Sequence, residues 1–376
     1  MAMPPPGSII ATVRHLPLLL LLLSSALAAE PAYPLWDGHE SVEYYAKRVN
    51  LPQTKTLDLG GGVKMELVLI PAGEFVMGTP QPVPVDEDKF RKQVVMGQAL
   101  LAMSCGVLLA LLGAVAVKAI RQRRRPKFSL ARLLAMTMVA GVGVWGGVRW
   151  WQAVRGCETA LLEHRDAMGR YNAAYYTEKP AHHVTLTTPF YLGKYPVTKE
   201  QYQQASGKSA NVAGSDFPVV NISWKEANDA CAKLSAPDSL IRLPTDAEWE
   251  FACRAGTRSD FYTGDSYTDL ARAGWYSGNS ESSTHAIGKK EANAFGLYDM
   301  HGNVWQWCQD WYADHSEIAA FDPHGPDKGT NRILRGGSWT YDAKYCRSAY
   351  RMWYDPNGHF SDIGFRIAAN VPHRTP

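Results

Sequence analysis

The 376-residue sequence has no repeat of fixed period, no low-complexity tract and few charged residues, which make up 20% of the chain. Because 46% of the residues are hydrophobic, this composition excludes a disordered or collagen-like protein. Acidic residues are absent between Val94 and Gly156, where nine Lys and Arg residues lie, while the rest of the chain holds 30 basic against 36 acidic residues. A nucleic-acid partner is therefore disfavoured, because the excess of basic charge is concentrated in one apolar stretch and the rest of the chain is acidic.

Glycine, proline and tryptophan are abundant instead, with 32, 23 and 12 residues. This favours a fold rich in loops and aromatic side chains over a helical bundle. Residues Leu57 to Pro71 alternate around a glycine turn, which predicts a β-hairpin. Thr198, Ser223 and Thr245 each precede an acidic or amide residue by three positions, and such capping boxes predict helix starts. We expect a mixed α+β fold with few short helices.

The N-terminus has the pattern of an export signal. Arg14 and His15 precede the apolar run Leu16 to Leu23, and small residues follow as far as Ala29. A basic start, an apolar centre and small residues at the cleavage site predict a signal peptide over residues 1–29. The alternative is an uncleaved membrane anchor over the same residues.

Two further apolar stretches, residues 94–117 and 128–151, have the length of membrane spans. The positive-inside rule places the basic turn between them, residues 118–127, in the cytoplasm. We therefore predict a transmembrane helical hairpin whose two flanks lie outside the cytoplasm, in agreement with the export signal. Residues 30–93 and 179–371 then form a periplasmic or cell-surface domain, with the membrane as its first partner.

The chain returns from the predicted hairpin through residues 152–178, which we interpret as a linker with some helix. Five cysteines lie outside the predicted spans, in a compartment where disulfides persist. They are Cys157, Cys231, Cys253, Cys308 and Cys346. Because five is an odd number, at least one thiol is free or pairs between chains.

Seven motifs follow one another in a recognisable order. They are Leu67–Gly78, Pro189–Thr198, Pro218–Trp224, Arg242–Glu250, Gly296–Trp307, Arg335–Trp339 and Gly364–Arg366. Together they resemble the formylglycine-generating enzyme, or sulfatase-modifying factor, family. The resemblance implies that family's irregular variant of the C-type lectin fold, with little regular secondary structure. The predicted two-helix transmembrane hairpin is then an insertion between the first motif and the second.

The resemblance implies a copper(I) site between two cysteines five residues apart, which with O2 converts a cysteine of a sulfatase into formylglycine. Cys346 matches the second cysteine, and Tyr341 stands at the first position. A phenol is a hard ligand with a pKa of about 10, so it suits copper(I) poorly. Ser338, Tyr345 and Trp305 match residues that line the same pocket in the family. These five residues are the candidate catalytic set, and Tyr341 disfavours bound copper.

The resemblance also implies a calcium site. Asp299 matches a ligand that supplies a side-chain oxygen, and Gly302 and Val304 match ligands that supply backbone carbonyls. Gln306 stands where the family often has glutamate, so an amide oxygen replaces a carboxylate. Mixed carbonyl and carboxylate oxygens suit Ca2+, and we expect the loss of one carboxylate to weaken binding.

Two functions remain open. In the first, the chain is a divergent, membrane-anchored member of the family, whose lectin-like pocket between Thr340 and Phe360 binds a ligand or an exported protein. In the second, it is an active oxidase that uses O2 and Cys346 to convert a sulfatase cysteine into formylglycine. The fold does not decide between them, whereas Tyr341 favours the first.

Overall fold

The computed structural model describes residues 32–81, 176–208, 216–236 and 239–372, with isolated positions between 92 and 159. The signal peptide, the transmembrane hairpin and nearly all of the linker predicted above lie outside these residues. Among the residues that the structure describes, no helix is long and apolar enough to cross a bilayer. The export signal and the hairpin therefore stay predictions.

The chain divides into two compact units. One, here called the main unit, comprises Met1–Met77, His182–Asp314 and Ile318–Pro376. The other comprises Gly78–Ala181 and His315–Glu317. All the candidate site residues lie in the main unit, which is described below.

Five α-helices lie in the described part of the main unit. They are α1 (Val42–Arg48), α2 (Lys199–Ser206), α3 (Trp224–Leu234), α4 (Asp246–Arg254) and α5 (Tyr267–Ala273). The capping boxes predicted at Thr198, Ser223 and Thr245 are confirmed: each side chain accepts a backbone N–H from the third helical residue, whose own side chain accepts from the cap. Ser266 and Asp269 form a fourth box at the start of α5.

The strands are short, as the loop-rich composition predicts. They are β1 (Thr54–Gly60), β2 (Val63–Ile70), β3 (Gly73–Met77), β4 (His182–Leu186), β5 (Phe190–Gly193), β6 (Ile241–Arg242), β7 (Gly274–Trp275), β8 (His301–Gly302), β9 (Trp305–Trp311), β10 (Ala320–Phe321), β11 (Arg332–Arg335), β12 (Arg351–Tyr354), β13 (Ile363–Phe365) and β14 (Ala368–Asn370). β1 and β2 pair antiparallel across a turn at Gly61 and Gly62, which confirms the predicted hairpin and extends its start to Thr54.

The strands form four small sheets, with the orders β1-β2-β5-β14-β6, β10-β4-β3, β12-β11-β9-β13 and β7-β8. The third sheet carries the candidate site. Its strand β9 pairs antiparallel with β11 and parallel with β13, where Trp305 lies opposite Ile363. Trp249, Trp305 and Trp307 are fully buried and fill the core beside this sheet. The predicted mixture of helix and sheet is therefore confirmed.

Buried charges connect this sheet to α4. Arg335 is fully buried and pairs with Asp246 and Glu250 of α4. Arg351 pairs with the other oxygen of Asp246, at 2.8 Å. Asp310 of β9 accepts the backbone N–H of Asp246 at 2.9 Å. Buried charges need such partners, because an unpaired ion loses its hydration without compensation.

Asp310 makes stability depend on pH. Its burial, and then the negative charge of Asp246, raise the pKa of Asp310 to about 8. The folded protein then keeps a proton that the unfolded chain releases from about pH 4 upward, so stability falls as pH rises through this window and levels off above about pH 8. We expect the melting temperature of Asp310→Asn to exceed that of the unmodified chain by more at about pH 9 than at about pH 5. Thermal melting at both pH values, followed by circular dichroism, measures this; an equal difference at the two pH values contradicts it.

Candidate functional site

Four aromatic side chains form a closed cluster at one end of β9. Successive ring centroids lie 5.3 Å apart for Trp305 and Tyr341, 5.3 Å for Tyr341 and Tyr345, 5.2 Å for Tyr345 and Tyr350, and 6.0 Å for Tyr350 and Trp305. The first three pairs are edge-to-face, an arrangement that aromatic quadrupoles favour. Trp305 and Tyr350 are buried, whereas Tyr341 and Tyr345 are half-buried. This aromatic quartet therefore has a closed floor and an open rim.

A glycine turn after β11 brings the polar part of the site to the quartet. Gly336 and Gly337 have φ values of +96° and +77°, and a side chain on Gly337 would clash with Cys346. The turn places the Ser338 hydroxyl 2.8 Å from the Asp362 carboxylate, to which it donates. The Asp362 carbonyl in turn accepts the N–H of Trp305 at 2.9 Å. Serine, carboxylate and quartet are thus held by one sheet.

Asp362 and Tyr341, at the rim of the quartet, both have a raised pKa. Burial raises the pKa of Asp362, and the hydrogen bond from Ser338 lowers it in part. Burial also raises the pKa of Tyr341, and the negative charge of Asp362 adds to the effect. A phenol with a raised pKa is neutral at physiological pH and is not a phenolate ligand for a metal.

Cys346 lies in the core below the site. It is fully buried and packs with Phe261, Leu270 and Ala343. Burial raises the pKa of the Cys346 thiol to about 12, so the sulphur carries its proton at neutral pH. Its sulphur lies 4.0 Å from the carbonyl of Asp342, and backbone hydrogen bonds from Ser338 and Gly302 lower its pKa in part. A buried thiol in apolar surroundings behaves as a small hydrophobic side chain.

His301 holds the backbone at Cys346. Its Nδ1 lies 2.7 Å from the Cys346 carbonyl, and because a carbonyl only accepts, Nδ1 is the donor. Nε2 then accepts the backbone N–H of Tyr262 at 3.1 Å. Burial lowers the pKa of His301 to about 3, which keeps this neutral tautomer. The sequence analysis did not single out His301, because only the fold brings it to Cys346.

These residues do not fit a copper(I) site. Such a site needs soft thiolate ligands, and the structure offers one protonated, buried thiol beside a neutral phenol. The four cysteines that the structure describes, Cys231, Cys253, Cys308 and Cys346, are all buried and unpaired. Within the described part of the chain there is also no group of three or more His, Cys, Asp or Glu residues placed to hold a metal.

The residues predicted to bind calcium come together but are hydrogen-bonded to protein groups. The Gln306 side-chain oxygen accepts from Trp249 Nε1 at 2.9 Å and from Arg366 Nε at 3.0 Å. The Gln306 side-chain nitrogen donates to the Asp299 carbonyl at 2.7 Å. One oxygen of the Asp299 carboxylate accepts the N–H of Gly288 at 2.8 Å. The lone pairs of Gln306 are therefore already used.

The positive charge of Arg366 beside Asp299 also disfavours a bound cation. Arg366 is fully buried and donates to the Asp299 carbonyl at 3.3 Å, so a guanidinium lies where calcium would need only oxygen atoms. Gly302 and Val304, whose carbonyls are the other predicted ligands, are both buried. The donor set as a whole does not fit Ca2+.

We expect the melting temperature of the full chain to be the same in excess calcium and in a chelator. A site occupied at about 100 times its Kd would add about 2.7 kcal/mol, which a melting curve resolves easily. Asp299→Asn is the matched variant, since it removes the predicted carboxylate ligand and keeps the size of the side chain. A calcium-dependent rise for the unmodified chain that disappears in Asp299→Asn would restore the calcium site.

A separate cavity of about 440 Å3 lies elsewhere in the main unit, between residues that include Tyr33, Leu186, Phe190, Arg242 and Glu248. Arg242 donates to both oxygens of Glu248, at 2.6 and 2.7 Å. This charged pair is satisfied internally. None of the residues of the aromatic quartet lines this cavity.

The comparisons with known proteins agree with the order of the motifs. The sequence model of the sulfatase-modifying factor enzyme 1-like domain matches residues 158–371. The chain belongs to this family. The resemblance inferred from the seven motifs is thus confirmed.

The curated relatives include formylglycine-generating enzymes and proteins that are named for a different activity. The chain is 30% identical over 206 residues to the formylglycine-generating enzyme of Mus musculus. This alignment covers 50% of this chain and 53% of that protein. It is 34% identical over 225 residues to the serine/threonine-protein kinase pkn1 of Chlamydia caviae. This alignment covers 52% of this chain and 35% of that protein. The chain thus spans about half, or less, of the length of these relatives.

Among solved structures, Treponema denticola variable protein 1 has a similar fold. The TM-score is 0.54 at 23% identity, with 85% of this chain and 99% of that chain covered. At this identity the likeness concerns the fold alone.

The structure brings together Trp305, Ser338, Tyr341 and Tyr345 from the predicted catalytic set and places Cys346 in the core beside them. It adds Tyr350 and Asp362, which the sequence analysis did not single out. Tyr350 lies inside the predicted pocket segment but closes the quartet only through its ring contacts. Asp362 lies outside that segment and reaches Trp305 through the pairing of β13 with β9. The closeness of Asp362 to the Gly364–Arg366 motif is the one sequence signal that points to it.

Proposed function

We propose that this chain is a divergent, exported and membrane-anchored member of its family, which binds a ligand at the aromatic quartet and does not oxidise protein cysteines. One observation carries the proposal: the thiol at the family's copper position, Cys346, is fully buried and protonated, and Tyr341 replaces its partner. A protonated, buried thiol is not a thiolate ligand, and a phenol is too hard for copper(I).

Binding is the function that the rest of the site supports. The lectin-like pocket offers two half-buried tyrosines above a buried floor, and tyrosine supplies large contact areas at low cost in conformational entropy. Asp362 provides a polar contact at the rim, where the hydrogen bond from the buried Ser338 hydroxyl fixes its orientation. A rigid aromatic surface with few fixed polar groups is typical of a ligand site.

The membrane location rests on sequence patterns outside the described residues. The predicted signal peptide and the basic turn of the predicted hairpin each favour a location of the domain outside the cytoplasm. The ligand or protein partner of the pocket is then an extracytoplasmic one.

An oxidase assay tests the proposal. The full chain is incubated with O2, copper(I) and a peptide that carries the cysteine motif of a sulfatase, and mass spectrometry measures formylglycine. We expect no conversion, whereas a formylglycine-generating enzyme treated in parallel converts the peptide. Conversion by the unmodified chain that is lost in Cys346→Ser would overturn the proposal.

The active oxidase is the second candidate function. It is favoured by the 30% identity to the formylglycine-generating enzyme of Mus musculus and by the grouping of Ser338, Tyr345 and Trp305 beside Cys346. The same assay decides, because a binding protein leaves the peptide unchanged.

A further inference from the structure

We infer that the cavity of about 440 Å3 in the main unit binds a small neutral molecule, mainly apolar, whose carbonyl or similar acceptor group takes a hydrogen bond from Asn370. This second site is separate from the aromatic quartet, so the inference goes beyond the proposed function.

The size of the cavity favours a small molecule over a single side chain of a protein partner. Ligand sites commonly enclose about 300–1,000 Å3, and a cavity of about 150 Å3 holds one benzene ring. At about 440 Å3 the cavity has room for roughly three such rings. One inserted side chain would leave most of this volume empty, and an unfilled void forfeits van der Waals contacts.

The floor of the cavity is apolar. Leu186, Phe190 and Val371 line it with side chains that are buried in the main unit. Tyr33 lines it as well and donates its hydroxyl to the Pro372 carbonyl at 3.2 Å, so this polar atom already has a protein partner. An apolar ligand body gains free energy when it displaces water from such a preformed floor.

The charged side chains of the cavity wall are compensated within the protein. Glu248 is 8% exposed, and its two oxygens accept from Arg242 and from the N–H of Thr245. Asp322 is exposed to solvent and accepts both the N–H and the hydroxyl of Thr187. An ionic ligand would lose hydration here without gaining an uncompensated counter-ion, which favours a neutral one.

Asn370 supplies the polar contact. It lies directly opposite Phe190 in the pairing of β14 with β5, so the two side chains share one face of the sheet. Its Oδ1 accepts from Arg242 Nε at 2.9 Å, and because a guanidinium only donates, this bond fixes which way the amide is turned. Among the described residues Nδ2 has no hydrogen-bond partner, so it is a donor with a fixed direction at the edge of the cavity.

The experiment compares four probes that carry the same naphthalene body, substituted at the same ring position. Equilibrium dialysis against the full chain measures methyl naphthyl ketone, the hydrocarbon isopropylnaphthalene, the anion naphthoate and the cation naphthylethylammonium. We expect the ketone to bind about tenfold or more tightly than either ion, because the ions must give up their hydration. It should bind about threefold or more tightly than the hydrocarbon, which has no acceptor for Asn370.

Two variants assign the binding to this cavity. Thr188 is exposed and lines the cavity, so Thr188→Trp fills it from the mouth and should weaken every probe about tenfold or more. Asn370→Asp still accepts from Arg242 but replaces the donor Nδ2 by an oxygen. It should lose about tenfold in affinity for the ketone and none for the hydrocarbon.

Thr330→Trp is the matched control, because Thr330 is equally exposed and does not line the cavity. All four affinities should equal those of the unmodified chain. Binding of either ion as tightly as the ketone would overturn the inference, and so would the absence of binding by any probe. Unchanged ketone binding in Thr188→Trp or in Asn370→Asp would overturn it too. None of these results bears on the quartet or on the oxidase assay, since no residue of the quartet is changed.

Discussion

The Tyr341→Cys variant is expected to bind copper(I) about a hundredfold more tightly than the unmodified chain. The physical reason is the number of soft ligands, since the variant has two thiols five residues apart and the unmodified chain has one. Cys346 Sγ lies 4.0 Å from the carbonyl of Asp342, the residue that follows position 341. Competition with a copper(I) chelator measures the affinity.

Tyr341→Ser is the control for this variant, because it opens the same space without adding sulphur. It should bind copper(I) as weakly as the unmodified chain. If Tyr341→Cys gains no affinity, Cys346 is too deeply buried to reach a metal. Tight binding by the unmodified chain would show that one thiolate is enough.

Arg335→Met is expected to destabilise the protein by about 3–5 kcal/mol, because it leaves the buried carboxylates of Asp246 and Glu250 short of a partner. Arg335 also donates to the carbonyls of Ser348 and Tyr350, at 3.0 and 3.3 Å. The substitution therefore loosens the backbone that positions one ring of the quartet. Urea unfolding followed by circular dichroism measures the free energy of unfolding.

The matched control is Arg272→Met. Arg272 pairs with Glu291 at 2.7 Å, but both side chains are 54% exposed, and an exposed pair is worth about 0–1 kcal/mol. The difference between the two variants isolates the effect of burial. An equal loss of stability in both would show that the buried network around Arg335 is not what holds β11 to α4.

Local chemistry explains why some elements were predictable. A capping box involves residues three positions apart, so Thr198, Ser223 and Thr245 indicated three helix starts without any knowledge of the fold. The glycine turn between β1 and β2 is equally local. The order of the seven motifs identified the family, which the match over residues 158–371 confirms.

The sequence alone could not show whether the atoms of the predicted metal ligands are free to bind a metal. Gln306 carries an oxygen that suits calcium by type, yet Trp249 and Arg366, distant in the chain, donate to it. Cys346 is a possible thiolate by type, yet its burial among Phe261, Leu270 and Ala343 keeps it protonated. Residue type predicts which donor atoms a side chain carries, whereas its neighbours in the fold decide whether those atoms are free to bind a ligand.

The sequence by itself determined the family, the mixed fold, the helix starts and most of the residues at the pocket, because these depend on motif order and on neighbours a few positions apart. Only the tertiary structure decided that Asp362 bonds Ser338, that Tyr350 closes the quartet and that Cys346 lies in the core. These facts depend on the register of β9 with β13 and on the packing around the Gly336–Gly337 turn. Burial and charge act through space, so the chemistry of the site follows from contacts between residues far apart in the chain.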